Sequence, residues 1–316
     1  MSNSAEATPP CPVTGEPAVR RVQWVTARLL TDLWRVAFIA DARGSFVGIE
    51  RFGLWESPTG LYFFDPPLEG DHEFYEGLNA GLKRRRLLTR DRAREEFATA
   101  AKHIPSGARV LDVGCGYGDF QRSVPQADYT GLDPHFAADA GVEGVRSETL
   151  DQHLVGRAGC YDALCCFEVL EHVRDPKTLF AEIVQAAKPG GLVCVSVPRV
   201  PSALTRIPNF VMNAPPHHLT WWSKAALHEL ARTAGALVES VENVPWGAGP
   251  SEIYWIERCS PIKCRDIHFR GDAGWHAASL VAGALGIVAS RLFRAPKASA
   301  DGGIGMFMIA RKPTPS

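Results

Sequence analysis

The stretch Val110-Leu-Asp-Val-Gly-Cys-Gly-Tyr-Gly-Asp119 decides the fold. It opens as a short buried-type strand, predicted over Arg109–Val113, and breaks into glycines at 114, 116 and 118. Glycine there permits positive φ and lets a ligand approach the backbone closely. A nicotinamide-type loop would read G-x-G-x-x-G; the spacing here is G-x-G-x-G. Asp112 stands at the strand end, where a carboxylate attracts a cationic ligand and repels a pyrophosphate. The next predicted strand, Tyr129–Leu132, runs into Asp133. A carboxylate at that point can accept both ribose hydroxyls of an adenosine.

Outward from this unit the pattern alternates. Tyr161–Phe167 and Gly191–Val197 are apolar, strand-like runs. Between them Asp175–Lys188 carries Leu179, Ile183, Ala186 and Ala187 at helical spacing, and Lys188-Pro-Gly-Gly191 stops it. Ser223–Ala234 reads as a helix, with Ser223 at its N-cap and Gly235 just past its end. Ala236–Val241 and Gly305–Ala310 read as the last strands. Strand, helix, strand in repetition predicts a parallel sheet with helices on both faces.

The segment 108–198 resembles the class I S-adenosylmethionine-dependent methyltransferases. Val110–Phe120 is similar to the family's first motif, Gly131–Pro134 to its acidic second strand, and Lys188–Gly191 to the turn before its fifth strand. The resemblance implies a Rossmann-like α/β sheet of seven strands, the last antiparallel. It implies that Asp112, Gly114 and Gly116 contact the methionine end of the cofactor and that Asp133 holds the ribose. It also places Glu148 at the adenine edge and Phe167 near the adenine or sulfonium.

Glu148-Thr-Leu-Asp-Gln-His and Tyr161-Asp-Ala-Leu-Cys-Cys-Phe-Glu-Val-Leu-Glu-His-Val-Arg-Asp-Pro176 resemble the ubiquinone-biosynthesis O-methyltransferases. Those enzymes methylate catechol-type hydroxyls, and their Glu-x-x-Glu-His is implicated in binding a divalent metal. The matching residues are Glu168, Glu171 and His172, expected on one face of a helical turn. Two readings stand side by side. The carboxylates hold a hard cation with His172 as ligand or general base, or the group closes the cofactor pocket without a metal.

The region 199–224 is the expected substrate-facing segment, with Asn209, Asn213, His217, His218, Trp221 and Trp222. Pro215-Pro-His-His-Leu-Thr-Trp-Trp-Ser223 resembles a segment of methyltransferases acting on sugars and related metabolites. His217 or His218 suits deprotonation of a substrate hydroxyl; a buried, hydrogen-bonded histidine is the alternative.

Residues 1–10 read as a disordered tail. Residues 11–70 carry strand-like pieces, among them Arg20–Val25 and Leu61–Phe64. Some bacterial methyltransferases of the wider group begin with two Cys-x-x-Cys-Gly zinc knuckles. Cys11-Pro-Val-Thr-Gly15 keeps one cysteine of the first, and Glu56-Ser-Pro-Thr-Gly-Leu61 lacks both of the second. One cysteine cannot supply a tetrahedral site, so 11–70 is read as a ribbon-like module without zinc. Cys259, Cys264 and His268, with Cys11, form an irregular alternative. Leu82–Lys102 has the composition of a helix. Its Lys83-Arg-Arg-Arg86 cluster is a solvated face or a phosphate contact.

The remaining chain, 71–316, is the expected methyltransferase domain. It carries an insertion at about 245–303 in place of a short hairpin. From Ala273 to Ser290 no Asp, Glu, Lys or Arg occurs, and Leu280, Ala284, Leu285, Val288 and Leu292 recur at helical spacing. The run 273–294 is read as a helix over the substrate pocket, a helix on a membrane surface, or a span.

Hydrophobic residues make up 46% and charged residues 22%, as in a folded globular chain. The 34 basic and 35 acidic residues nearly cancel, which excludes bulk electrostatic attraction to nucleic acid. The polar start and the scattered cysteines point to a reducing, cytoplasmic setting, with membrane association through 273–294 as the variant. The expected activity is methyl transfer from S-adenosylmethionine to a small-molecule oxygen, with a divalent metal as an option. C- or N-methylation is the runner-up. A nucleotide-binding oxidoreductase and an inactive binding module are the readings of other classes.

Overall fold

The computed structural model describes residues 8–84, 94–135, 141–246, 251–296 and 302–315. In chain order the first elements are β1 (Arg20–Thr26), α1 (Ala27–Phe38), β2 (Arg51–Glu56), β3 (Tyr62–Asp65), α2 (His72–Arg84) and α3 (Glu95–His103). Then come β4 (Arg109–Val113), β5 (Asp128–Leu132), β6 (Val145–Arg146), α4 (Leu150–Leu154), β7 (Tyr161–Phe167), α5 (Pro176–Ala186) and β8 (Ala187–Pro198). The chain closes with α6 (Ala203–Arg206), β9 (Thr220–Trp221), α7 (Lys224–Thr233), β10 (Leu237–Asn243), α8 (Ser251–Cys259), α9 (Ala273–Leu292) and β11 (Gly305–Arg311).

Seven strands form the large sheet in the order β10-β11-β8-β7-β4-β5-β6. β4 pairs in parallel with β5 and β7, as do β5 with β6 and β7 with β8; β11 is antiparallel to both its neighbours. This is the expected Rossmann-like sheet with its last strand, β11, reversed. Alternate residues of the central strands enter two cores. Leu111, Val113, Leu164 and Cys166 join the layer with Phe180, Ile183, Leu227 and Leu230 of α5 and α7. Val110, Ala163 and Cys165 join the opposite layer with Phe97 and Ala100 of α3. That period of two is why both faces are covered by helices. The order reverses at β4, so the crevice beyond the carboxyl ends of β4 and β5 is where a ligand enters such a sheet.

Local chemistry fixes the helix starts. Asp175 accepts from the Thr178 amide (3.0 Å) ahead of Pro176, and Ser223 accepts from that of Ala226 (3.0 Å).

The N-terminal module is not closed on itself. Its antiparallel sheet runs β1-β2-β3-β9, so its fourth strand comes from the far side of the chain. Trp34, Phe52, Phe64 and Phe74 share a core with Val211, Ala214 and Trp221. Both knuckle-like segments form turns. The Cys11 thiol accepts from the Val13 amide (3.4 Å), and the Ser57 hydroxyl accepts from the amides of Thr59 (3.2 Å) and Leu61 (3.3 Å). Ser57 thus holds its loop through its own hydroxyl.

Two expectations are corrected here. Pro9 accepts from the Ala18 amide and Pro10 bridges Pro17, so both belong to the module rather than to a tail; residues 1–7 lie outside the described residues. The predicted helix over Leu82–Lys102 corresponds to the end of α2 and to α3. Lys83 and Arg84 are exposed on the last turn of α2, and Arg85 and Arg86 lie outside the described residues.

Candidate active site

The glycine loop joins β4 to a short 3-10 turn at Asp119–Ser123. Gly114, Gly116 and Gly118 all have positive φ (71°, 55° and 70°). A Cβ on Gly114 would stand 2.4 Å from Val169 Cγ2, whereas one on Gly116 would meet nothing within 4 Å. The first glycine therefore seats the loop against the turn after β7. The second leaves its outer face open toward the crevice. Asp133 closes the loop from the neighbouring strand: its Oδ2 accepts from the Gly116 amide (3.0 Å) and its Oδ1 from that of His135 (2.9 Å).

Asp112 is 2% exposed, and the Tyr129 hydroxyl donates to its Oδ2 at 2.8 Å. Burial pushes its carboxyl up to about 7, against the pull of that hydrogen bond and of Arg94. A cationic ligand beside this carboxyl would favour its ionised form.

The Glu-x-x-Glu-His segment does not form a helical turn. Glu168 has φ 58°, and the chain reverses there. Consequently Glu168 and Glu171 diverge. Glu168 accepts from the Ser196 hydroxyl (3.1 Å) and faces Arg94 and Glu96; burial first of all pushes it up to about 7. Glu171 is fully buried, neither carboxylate oxygen has a hydrogen-bond partner among the described residues, and Oε1 lies 3.6 Å from His172 Nε2. Burial, and then the charge of Glu168, raises its carboxyl well above the usual range.

Beside Glu171 three imidazoles converge. The rings of His172 and His217 are 4.4 Å apart, those of His172 and His218 4.8 Å, and those of His217 and His218 stack at 4.7 Å. One ligand-capable atom from each lies within 4.8 Å of the others. His172 Nδ1 donates to the His217 carbonyl (2.6 Å), and His218 Nδ1 donates to Asn213 Oδ1 (3.2 Å). A carbonyl only accepts, so the His172 proton is on Nδ1 and its Nε2 carries the lone pair. Burial lowers His172 to about 4 and His217 and His218 well below the ordinary range. The group is neutral at physiological pH.

The loop bearing His217 and His218 is held from several sides. The amides of Leu219 (2.7 Å) and Thr220 (3.3 Å) donate to the Glu171 carbonyl. The Trp34 indole donates to the Pro215 carbonyl (2.9 Å) and the Trp221 indole to that of Asn213 (2.8 Å). Tyr75 of α2 packs between His217 (6.1 Å) and His135 (6.3 Å), and so joins the histidine cluster to the loop that follows Asp133.

A family model described as a methyltransferase domain matches residues 83–241, which hold both the glycine loop and the histidine loop. The chain belongs to this methyltransferase family. With its sheet order and glycine loop, it is a class I S-adenosylmethionine-dependent methyltransferase. The ubiquinone biosynthesis O-methyltransferases of Cronobacter sakazakii and of Escherichia coli K12 are each 39% identical to it over 102 residues. Those residues are 28% of this chain and 42% of the relative. The chain thus spans less than half the length of these curated relatives.

Solved structures similar to this methyltransferase include two others. The 1,6-didemethyltoxoflavin-N1-methyltransferase of Burkholderia thailandensis was solved with 1,6-didemethyltoxoflavin and S-adenosylhomocysteine bound. It has a TM-score of 0.47 at 16% identity, covering 80% of this chain and 95% of that one. A methyltransferase from Archaeoglobus fulgidus has a TM-score of 0.46 at 16% identity, covering 77% and 100%.

Within the methyltransferase, Asp112, Gly114, Gly116 and Asp133 come together at the carboxyl ends of β4 and β5. Glu148 follows β6 on the same edge and is tied by Oε2 to His153 Nδ1 (2.9 Å), the buried last residue of the Glu148-Thr-Leu-Asp-Gln-His segment. Phe167 is 6% exposed, and its ring lies among Phe97 (4.9 Å), Phe120 (4.9 Å) and Phe307 (6.4 Å). Its role in the structure is packing. His172, expected with Glu168, stands instead with Glu171, His217 and His218. Tyr75 and Trp34 went unread because nothing in a helical run marks which aromatic faces a site so distant in the chain, 181 residues for Trp34 and Pro215. Farther off, His268 Nδ1 donates to the Thr205 carbonyl (2.9 Å), a structural bond rather than part of a cysteine site.

Proposed function

We propose that this methyltransferase carries the methyl group of S-adenosylmethionine to a hydroxyl oxygen of a small metabolite, sugar-like or lipid-like. The observation behind the reading is the neutral histidine cluster on a turn packed directly against Gly114. The cofactor would lie along the glycine loop. Asp112 faces its methionine ammonium, the backbone of Gly114 and Gly116 lines it, Asp133 takes the ribose hydroxyls and Glu148 the adenine edge. The sulfonium is already an activated donor, so alignment is the main contribution of the pocket. The acceptor oxygen forms the new C–O bond as the C–S bond breaks, and the electron pair stays on sulfur. The hydroxyl proton passes to an imidazole Nε2 of the cluster. That demand for a proton acceptor favours a hydroxyl over a neutral amine, whose lone pair attacks before any proton leaves.

The test pairs binding with turnover. S-adenosylhomocysteine, and not NAD, should raise the melting temperature. Untargeted mass spectrometry of a strain lacking the enzyme should reveal an accumulated compound one CH₂ lighter than its product. With that acceptor, His172→Asn and His217→Asn should each lower kcat by about 10²–10⁴ and leave the S-adenosylhomocysteine Kd unchanged. Stabilisation by NAD alone, or full turnover in both variants, overturns the reading.

A second reading adds a divalent cation. The triad implied by the resemblance does not fit, because Glu168 is turned to Ser196. The set His172, His217, His218 and Glu171 fits better. It pairs a carboxylate that has no hydrogen-bond partner among the described residues with two imidazoles, His172 and His218, whose Nδ1 protons are already placed on oxygens, as metal-bound histidines usually are, and with His217, whose Nδ1 has no such partner. These four residues would hold the ion, which would act as a Lewis acid on the acceptor oxygen. Titration with Co²⁺ should give visible d–d absorption in the wild type and none in Glu171→Gln. Featureless spectra, with activity indifferent to EDTA, leave the histidines as the base and remove the metal.

A further inference from the structure

The two helices inserted between β10 and β11 form a hairpin with an inverted polarity of size. On α9 the residues turned inward are Trp275 and then the small Ala278, Ala282 and Gly286. A Cβ on Gly286 would stand 2.5 Å from the backbone of Ile256, so α8 and α9 touch main chain to main chain. The large residues point away from the protein: Leu280 is 69% exposed, Leu285 52%, Val288 54%, Leu292 69% and Phe293 58%. A water-facing helix places its large apolar side chains on the core and polar ones outside. Here the outer face is apolar: Leu280, Leu285, Val288 and Leu292 are all exposed, on a helix whose mean hydropathy is 1.4. Contiguous exposed apolar surface of this kind marks an interaction site.

Three observations select the occupant. Close helix contact through small residues, with large ones outward, is the packing of helices whose surroundings are hydrocarbon. Arg291 and Arg294 are exposed at the C-terminal end of the apolar face, where they complement anionic headgroups. At the same end the Trp255 indole donates to the Phe293 carbonyl (3.0 Å), next to Tyr254; paired aromatic and basic residues anchor protein at a membrane interface. The helix lies along the surface rather than across it. One side is fixed to the protein through Gly286 and Ile256 and through the Ser279 hydroxyl, which donates to the Pro208 carbonyl (2.9 Å). We infer that the outer face of α9 docks the enzyme onto an anionic lipid bilayer, with Leu280, Leu285, Val288 and Leu292 entering the acyl boundary and Arg291 and Arg294 on the headgroups. This does not depend on the acceptor or on the histidine chemistry.

Flotation of the full chain with phosphatidylcholine vesicles, with and without phosphatidylglycerol, tests it. The wild type should float with the phosphatidylglycerol vesicles. Leu285→Glu/Val288→Glu should lose at least about tenfold in partitioning, since two buried apolar chains are replaced by charges repelled by the headgroups. Arg291→Glu/Arg294→Glu should lose the preference for the anionic lipid. An unchanged circular dichroism spectrum and an unchanged S-adenosylhomocysteine melting shift show that the variants are folded. Wild-type protein that stays lipid-free, or a Leu285→Glu/Val288→Glu variant that floats as the wild type does, overturns the inference. So does a solution dimer that the Leu285→Glu/Val288→Glu variant dissolves without any flotation, which would give the face to a second copy.

Discussion

The Tyr129 hydroxyl donates to Asp112 across 2.8 Å, tying the second strand of the parallel unit to the carboxyl of the first. Asp112 is buried and sits at about 7, so in the free enzyme near pH 6 it is mostly protonated. Its folded value lies above its unfolded one. The stability it contributes is therefore complete below about pH 4 and is lost as pH rises through about 7. A cationic cofactor reverses this by favouring the ionised form. Calorimetry should show S-adenosylhomocysteine binding tightening from pH 6 to 8. Tyr129→Phe removes the bond that holds the value down. It should weaken binding at pH 7 by about 3–10-fold and move the pH dependence upward. A flat profile in the wild type would refute the role of Asp112.

The glycine loop offers a contrast between neighbours. Gly114→Ala sets a Cβ against Val169 at a positive φ and should cost about 1–3 kcal/mol of stability as well as cofactor binding. Gly116→Ala has a comparable φ but an open outer face. It should melt within about 1 kcal/mol of the wild type and still lose cofactor affinity. Thermal melts read beside calorimetry separate the two.

The histidine cluster should reveal itself in acid. His172 titrates near 4 in the fold, below its unfolded value, because burial disfavours the cation. The unfolded chain then binds the extra proton between about pH 6.5 and 4, and stability falls as pH falls through that window. Denaturant titrations at pH 6.5 and 4.5 should show a smaller loss in His172→Asn than in the wild type. Equal losses would place the ring in water.

The loop at Ser57 should matter without metal. Ser57→Ala leaves two amides without their acceptor in a residue position 2% exposed, at a cost of about 1–3 kcal/mol. The loss should appear as a lower melting temperature and should be the same in EDTA.

The large sheet was legible because its strands are short apolar runs and its breaks carry Gly, Pro and Asp. Gly114, Gly116 and Asp133 could be placed together from the sequence because they lie in one local unit. The histidine site was not. A left-handed turn at Glu168 sends two carboxylates of one motif to different partners, and sequence spacing assumes a regular turn. Nor does spacing bring His172 to His217, since that contact is made through hydrogen bonds from the Leu219 and Thr220 amides to the Glu171 carbonyl. The periodicity of α9 was readable, but not its direction. Leu280 and Leu285 stand out at helical spacing, but Ala278, Ala282 and Gly286 form the packing seam.

The pairing of β3 with β9, through Tyr62 with Trp221 and Phe63 with Thr220, has a practical side. Cutting the chain at residue 71 would strip Trp55, Leu61 and Phe63 from the core they share with Leu111, Val113 and Trp222, and would release the strand next to His217 and His218. A protein shortened in this way should melt lower and turn nothing over. The ribbon-like region is a splint for the loop that carries the two histidines.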